Sequence, residues 1–228
     1  MRRKVFKAVM HRFYRPLVQW YLRKERMYKY RKITLHVPPG VFHPGLFYST
    51  RIMSNFIAEQ PIAGKTLLEL GSGAGMIAIY AAKQGAKVTA TDISQEAVVT
   101  IKRNAAKNNA DINVIWSDLF QDIPQQAFDY TVVNPPYYKG KPNHEHEFAW
   151  YAGQNHEYFQ LLFAGLGGYI HPGSHVYMVI SDEADIEAVK DIAAGEGYQF
   201  IVRFTKTVML ERQFIFEICS TVHDENTR

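Results

Sequence analysis

The stretch Thr66-Leu67-Leu68-Glu69-Leu70-Gly71-Ser72-Gly73-Ala74-Gly75-Met76 decides the fold. Its first half is a short apolar run, the pattern of a strand buried on both faces. The glycines then let the backbone turn tightly and approach a ligand closely. From 76 to 83 small and apolar residues continue as a helix. Strand, glycine turn and helix together open an α/β unit.

The alternation extends outward from there. Strands are predicted at 87–91, 112–116, 128–133 and 175–180, with helices at 95–108, 158–169 and 182–194. Upstream, 48–60 reads as a helix with Ser49 or Thr50 as N-cap, stopped by Pro61 and Gly64. Residues 37–45, dense in Pro and Gly, form an ordered loop. Two closing strands, 199–206 and 212–219, have a short link and are predicted as an antiparallel pair at one edge. The expectation is one doubly wound α/β domain, Rossmann-like, with a mostly parallel sheet covered on both faces.

Composition sets the outer limits. The chain has 228 residues, 47% hydrophobic and 21% charged, ordinary globular usage that excludes a disordered chain, a collagen and a coiled coil. Its one cysteine, Cys219, excludes an intrachain disulfide framework and a cysteine-rich zinc site, and points to a reduced, cytoplasmic setting. No uncharged apolar run reaches the roughly 18 residues of a membrane helix.

Charge is distributed unevenly. Residues 1–32 hold twelve Lys/Arg against one acid, Glu25, a balance of +11. The other 196 residues hold 14 bases and 21 acids, a balance of −7. Phe6, Phe13, Tyr14, Trp20, Tyr21, Tyr28 and Tyr30 are interleaved with the bases. Basic residues interrupt every stretch apolar enough for a secretory signal. The chain therefore reads as a helical basic arm over 1–36, an α/β domain over 37–222 and a tail over 223–228. The arm's aromatic side could pack on the body, or the arm could contact a nucleic acid or a membrane surface.

The glycine loop gains meaning from Asp92, which ends the next strand 21 residues beyond Gly71. A carboxylate there can accept both hydroxyls of a ribose. The spacing is G-x-G-x-G, not the G-x-G-x-x-G that seats a pyrophosphate, and Glu69 precedes it. An acid at the loop mouth suits a cation. S-adenosylmethionine (SAM) carries an ammonium and a sulfonium and no phosphate. Ser117 and Asp118 close the third strand, where an adenine edge would lie; the plainer role of Asp92 and Asp118 is turn capping.

The predicted strand 128–133 runs directly into Asn134-Pro135-Pro136-Tyr137. Two prolines remove two backbone donors and stiffen the turn. The Asn134 side-chain oxygen and the Pro135 carbonyl remain as acceptors. Two rigid acceptors and an aromatic face can hold a planar NH2 group, its lone pair aimed at a methyl carbon. A stiff turn without chemistry is the plainer alternative.

Together the ELGSGAG loop, the Asp92 turn, Ser117-Asp118 and the NPPY tetrad resemble class I SAM-dependent methyltransferases. More narrowly, the chain is similar to the HemK-like and "methyltransferase small domain" group, over about residues 40–220. The resemblance implies a seven-stranded sheet with one antiparallel edge strand. It implies that Glu69, Gly71, Gly73, Gly75, Asp92, Ile93, Ser117, Asp118, Leu119 and Asn134 hold SAM. It also implies that Asn134, Pro135 and Tyr137 hold the target nitrogen, on a protein glutamine amide or a nucleic-acid base amine. Residues 148–153 (Phe-Ala-Trp-Tyr-Ala-Gly) are similar in position to the small-residue and glycine stretch that follows the tetrad in HemK-like enzymes, which implies that they line the substrate pocket. The rival readings are a small-molecule N- or O-methyltransferase and a non-catalytic module that kept a SAM pocket.

His144, Glu145, His146, Glu147 and His156 are candidate metal ligands, but no third ligand stands at a standard spacing, so no metal is assigned. A substrate-facing loop over 138–155, with Lys139 and Lys141 near the mouth, is the preferred reading. Composition fixes no oligomeric state.

Overall fold

The apolar run at 66–70 becomes β3 (Thr66–Leu70), the third strand of a seven-stranded sheet. The computed structural model describes residues 21–142, 144, 147–208 and 210–221. Alternation along β3 feeds two cores. Leu68 and Leu70 face a layer that includes Phe159, Phe163 and Val189, whereas Leu67 faces Ile57, Ile77 and Ala90. This double burial explains why β3 is apolar without a break.

Around it lie β4 (Lys87–Asp92), β5 (Ile112–Trp116), β6 (Tyr130–Val133), β7 (His175–Ser181), β8 (Tyr198–Val208) and β9 (Glu211–Ser220). The order is β5-β4-β3-β6-β7-β9-β8, parallel from β5 to β7. β9 runs antiparallel to both β7 and β8. The expected antiparallel pair therefore forms one edge, with the reversed strand as its inner member.

Among the described residues five α-helices cover the faces: α1 (Tyr48–Ala58), α2 (Met76–Lys83), α3 (Gln95–Lys107), α4 (Glu157–Leu166) and α5 (Ile186–Gly195). α5 starts later than the sequence pattern predicts because Asp185 caps it, accepting the Ala188 N–H at 3.5 Å. α1 starts at Tyr48 as the pattern predicts, but with extended Phe47 as N-cap and no side-chain cap bond. Ser49 and Thr50 lie inside it and are buried, so neither caps.

Part of the expected arm helix is a hairpin instead. β1 (Arg26–Tyr30) and β2 (Ile33–Val37) pair antiparallel. The reason is a period of two: Ile33, Leu35 and Val37 are buried together against Ile79, Ala97 and Ala105. Two asparagines one turn apart on α3 complete the edge of β2. Asn104 Oδ1 accepts from His36 N at 2.8 Å and its Nδ2 donates to His36 O at 2.9 Å. Asn108 does the same with Thr34 N and O, at 3.0 and 2.9 Å. The hairpin is thus tied to the body and not set apart from it. Residues 1–20 and the tail from 222 onward lie outside the described residues. Among the described residues no helix is long and apolar enough to cross a membrane.

Candidate active site

One register pair sets the geometry. Leu70 lies opposite Val133 in the β3–β6 ladder, so Gly71 and Asn134 leave the sheet side by side. This is where strand order reverses, since β4 and β5 fall on one side and β6 and β7 on the other. Open α/β sheets bind ligands at such points. A cleft of about 600 Å³ opens there, lined by Gly71, Gly73, Asp92, Ile93, Ser117, Asp118, Leu119, Asn134, Pro135 and Tyr137. Ten of the sequence-predicted residues are thereby brought together.

On the glycine side the backbone does the positioning. Gly73 N–H donates to Asp92 Oδ2 at 2.8 Å, and Ser94 N–H to Oδ1 at 3.0 Å. Asp92 thus has the capping role and also lines the cleft. Gly73 has φ 54°, and a Cβ there would press on Phe42 Cβ at 3.3 Å. Ser117 Oγ donates to Leu119 O at 2.9 Å and accepts from Asp122 N at 3.0 Å, holding Leu119 at a φ of 49°. That left-handed conformation in a non-glycine residue is backbone strain held at the cleft wall. Burial pushes the Asp118 carboxyl up, with Asp122 adding to the effect. Burial, then the charges of Asp92 and Asp118, push up the Tyr158 phenol, which lines the same side.

Two predicted residues stand elsewhere. Gly75 caps α2 and lets it approach α3: a Cβ would meet Ile101 Cγ2 at 3.2 Å. Glu69 lies behind the loop instead of at its mouth, only 3% exposed. The first turn of a helix leaves backbone donors without intrahelical partners, and Glu69 Oε2 serves one, accepting from Ala78 N at 2.8 Å. Burial pushes its carboxyl up to about 8, against the opposing bonds from Ser72 and Ala78.

On the other side the tetrad is rigid and partly dry. Pro135 is buried, and burial pushes the Tyr137 phenol up, with Tyr138 next to it. The Tyr137 and Tyr138 ring centroids are 4.9 Å apart. The chain then folds back on itself: Tyr138 N donates to Trp150 O at 3.0 Å and Ala152 N to Tyr138 O at 2.9 Å. These bonds place residues 148–153 along the cleft, as expected of a pocket lining. Gly153 has φ 95°, a conformation that favours glycine, and a Cβ there would displace the Glu157 carboxylate and press on Glu157 N at 3.1 Å.

Sequence reasoning brought 148–153 to the pocket but missed that Phe42 and Phe47 join its Trp150 in an aromatic mouth. Phe42 and Phe47 stack at 4.8 Å, and Trp150 packs against them at 5.5 and 4.7 Å. All three line the cleft, as does half-exposed Phe148. The Pro/Gly density of 37–45 announces a loop but not where its aromatic points. Lys139 pairs with Asp185 at 3.7 Å, and Lys141 lines the mouth. His156 is buried at the start of α4, while Glu145 and His146 lie outside the described residues. Among the described residues no group of three metal-ligating side chains comes together.

Among the described residues, the glycine side offers the carboxylates of Asp92 and Asp118 and no Lys or Arg. Such a donor set fits a ligand that brings hydroxyls and positive charge, not a pyrophosphate. The sequence and the fold are similar to those of known proteins. The chain is 37% identical to the ribosomal protein L11 methyltransferase of Thermotoga maritima over 112 residues, 48% of this chain and 42% of that one. It is 38% identical over 107 residues to a Methanocaldococcus jannaschii protein bearing the name of a protein N5-glutamine methyltransferase, 46% of this chain and 51% of that one. The matches thus span about half or less of these relatives. Among solved structures, a Thermus thermophilus 16S rRNA N2 G1207 methyltransferase, in complex with AdoMet and guanosine, superposes with a TM-score of 0.62 at 19% identity. It covers 85% of this chain and 50% of that one. The ribosomal protein L11 methylase of Lactobacillus delbrueckii superposes with a TM-score of 0.61 at 22% identity, covering 81% and 83%. Both likenesses speak for the fold. The methyltransferase small domain family matches residues 32–154, more than half of the sequence, and the chain belongs to that family.

Proposed function

We propose that the protein is a SAM-dependent N-methyltransferase acting on a planar NH2 nitrogen of a macromolecule, a protein amide or a nucleic-acid base amine. The observation that carries this reading is the Leu70–Val133 pair, which sets a carboxylate-lined glycine loop beside a doubly proline-stiffened acceptor loop. SAM, when bound, supplies a methyl group on a positively charged sulfur that is a good leaving group. Asp92 accepts the ribose hydroxyls, and Ile93, Asp118 and Leu119 enclose the adenine end. The Asn134 amide oxygen and the Pro135 carbonyl take the two N–H bonds of the acceptor, and Tyr137 stacks on its plane. The nitrogen lone pair is then directed into the glycine side. In the transfer an N–CH3 bond would form as the S–CH3 bond breaks, leaving neutral S-adenosylhomocysteine, and the extra N–H proton would pass to water at the open mouth. Positioning and electrostatics supply the catalysis.

Names among the relatives point to both acceptor classes. One is named for the N5 nitrogen of glutamine and another for N2 of guanine, each a conjugated nitrogen. The basic arm favours a polyanion, and the 148–153 lining favours the glutamine amide. The test incubates purified protein with tritiated SAM and a cell extract, then treats separate halves with nuclease and protease. Nuclease-labile label assigns a base amine; protease-labile label assigns a protein. Absence of macromolecular label alongside labelled small molecules overturns the macromolecular reading. Removal of residues 1–20, which leaves the β1–β2 hairpin intact, is expected to cost salt-sensitive affinity in the nuclease-labile case.

A further inference from the structure

We infer that Thr50 is a positioning residue for Asn134, fixing which end of the Asn134 amide faces the cleft; this rests on the methyl-transfer reading of the tetrad. The two residues are far apart in sequence and meet directly: Asn134 Nδ2 donates to Thr50 Oγ1 at 3.4 Å. Asn134 lines two spaces, the main cleft and a small enclosed pocket behind the loop. Thr50 lines only the small one, together with Glu69, and is itself 6% exposed. It therefore cannot reach a substrate in the cleft and acts only through Asn134.

The chemistry follows from the shape of an amide. Its NH2 and its oxygen lie on opposite sides of one planar group. With the NH2 held toward Thr50, the oxygen turns toward the cleft, where an incoming NH2 needs an acceptor. Rotated by half a turn, Asn134 would meet the substrate's N–H bonds with N–H bonds of its own. Thr50 suits the task because its β-branched side chain is restricted in χ1 and its helix is anchored. Ile52, Met53 and Ile57 of α1 are buried in the core, and Ser54 Oγ donates to Thr50 O at 2.8 Å.

The experiment replaces the hydroxyl while keeping the shape. Initial rates of tritium transfer from SAM into an extract of cells deleted for the gene are measured across extract concentrations. Thr50→Val is expected to lower the plateau rate about fivefold, with the half-saturating extract concentration, the SAM Kd and the Tm near wild type. Thr50→Ser, which restores a hydroxyl, is expected to recover most of the rate. A wild-type plateau in Thr50→Val, or equal losses in both variants, overturns the positioning role. Asn134→Ala run in parallel separates the two ideas. If it is inactive while Thr50→Val is normal, only the Thr50 inference fails; if it is fully active, the methyl-transfer reading of the tetrad fails. A readout independent of turnover is solvent exchange of the Asn134 side-chain NH2 followed by NMR. Exchange is expected to accelerate in Thr50→Val and not in Thr50→Ser; equal rates in all three proteins overturn the inference.

Discussion

The two sides of the cleft are built on different principles. The glycine side is backbone-made: Gly73 and Ser94 donate to Asp92, and Ser117 holds the strained turn at Leu119. All of it springs from the ends of adjacent strands β3, β4 and β5, whose parallel register sets the loops side by side. The acceptor side is side-chain-made. It gathers the tetrad from β6, Phe42 and Phe47 from the loop before α1, and Trp150 from the loop that folds back after the tetrad. A side fixed by register suits a ligand that never changes. A side assembled from loops can vary its target while the chemistry stays the same.

The sharpest way to break this division is to remove the one acceptor side chain that the tetrad contributes. Asn134→Ala is expected to lower methyl transfer by about 10²–10³-fold, the scale of losing one preorganised polar group at a reacting centre. SAM affinity, which belongs to the other side, should hold. Isothermal titration with SAM alongside tritium transfer separates the two quantities. Loss of both together would mean that the sides are not independent.

Asp92→Ala is the reciprocal cut. It removes a carboxylate that orders Gly73 N–H and accepts from Ser94 N–H. Hydrogen bonds to a charged group contribute about 1.5–3 kcal/mol, so SAM binding should weaken roughly 10- to 100-fold. An unaltered dissociation constant refutes the ribose role and leaves Asp92 as a turn cap. Trp150→Ala tests the acceptor side again, more gently. Loss of one aromatic face of about 1–3 kcal/mol should raise the half-saturating acceptor concentration roughly tenfold and leave the SAM Kd in place. A change confined to SAM affinity would move the aromatic mouth to the cofactor's side.

The contrast also explains what the sequence disclosed. The strand pattern and the glycine loop were legible because periodicity and local turn chemistry are written in consecutive residues. The tetrad was legible because its two prolines leave few other conformations. The aromatic mouth was not, since nothing local joins Phe42 to Trp150; the Tyr138–Trp150 pairing that unites them is a long-range event. The hairpin of β1 and β2 was hidden for a related reason. Its charges and aromatics suggested a helix face, while the alternation of Ile33, Leu35 and Val37 gained meaning only from Asn104 and Asn108 on a distant helix. Glu69 was misplaced by one step of logic. An acid beside a glycine loop suggests its mouth, yet β3 turns this position toward the N-terminus of α2, where a backbone donor waits.

Glu69 supplies the smallest and most particular prediction, because it underlies the glycine side without lining it. Its carboxyl is raised by burial from the ordinary 4.5 to about 8. Across that interval the unfolded chain has released its proton while the folded chain keeps it. Stability is therefore fully present below the unfolded value and declines as pH rises toward the folded one, by at most about 1.4 kcal/mol per pH unit. Glu69→Gln keeps an oxygen for Ala78 N–H and removes the ionisation. Urea unfolding at pH 5, 7 and 8.5 is expected to show the wild type losing stability relative to the variant as pH rises. Parallel curves would mean that Glu69 is ionised in the fold, a fixed negative charge beneath the loop instead of a neutral brace for α2. A negative charge would then lie behind the glycine loop, out of contact with the cofactor, and the division between a register-built and a loop-built side would acquire an electrostatic contribution that geometry alone does not supply.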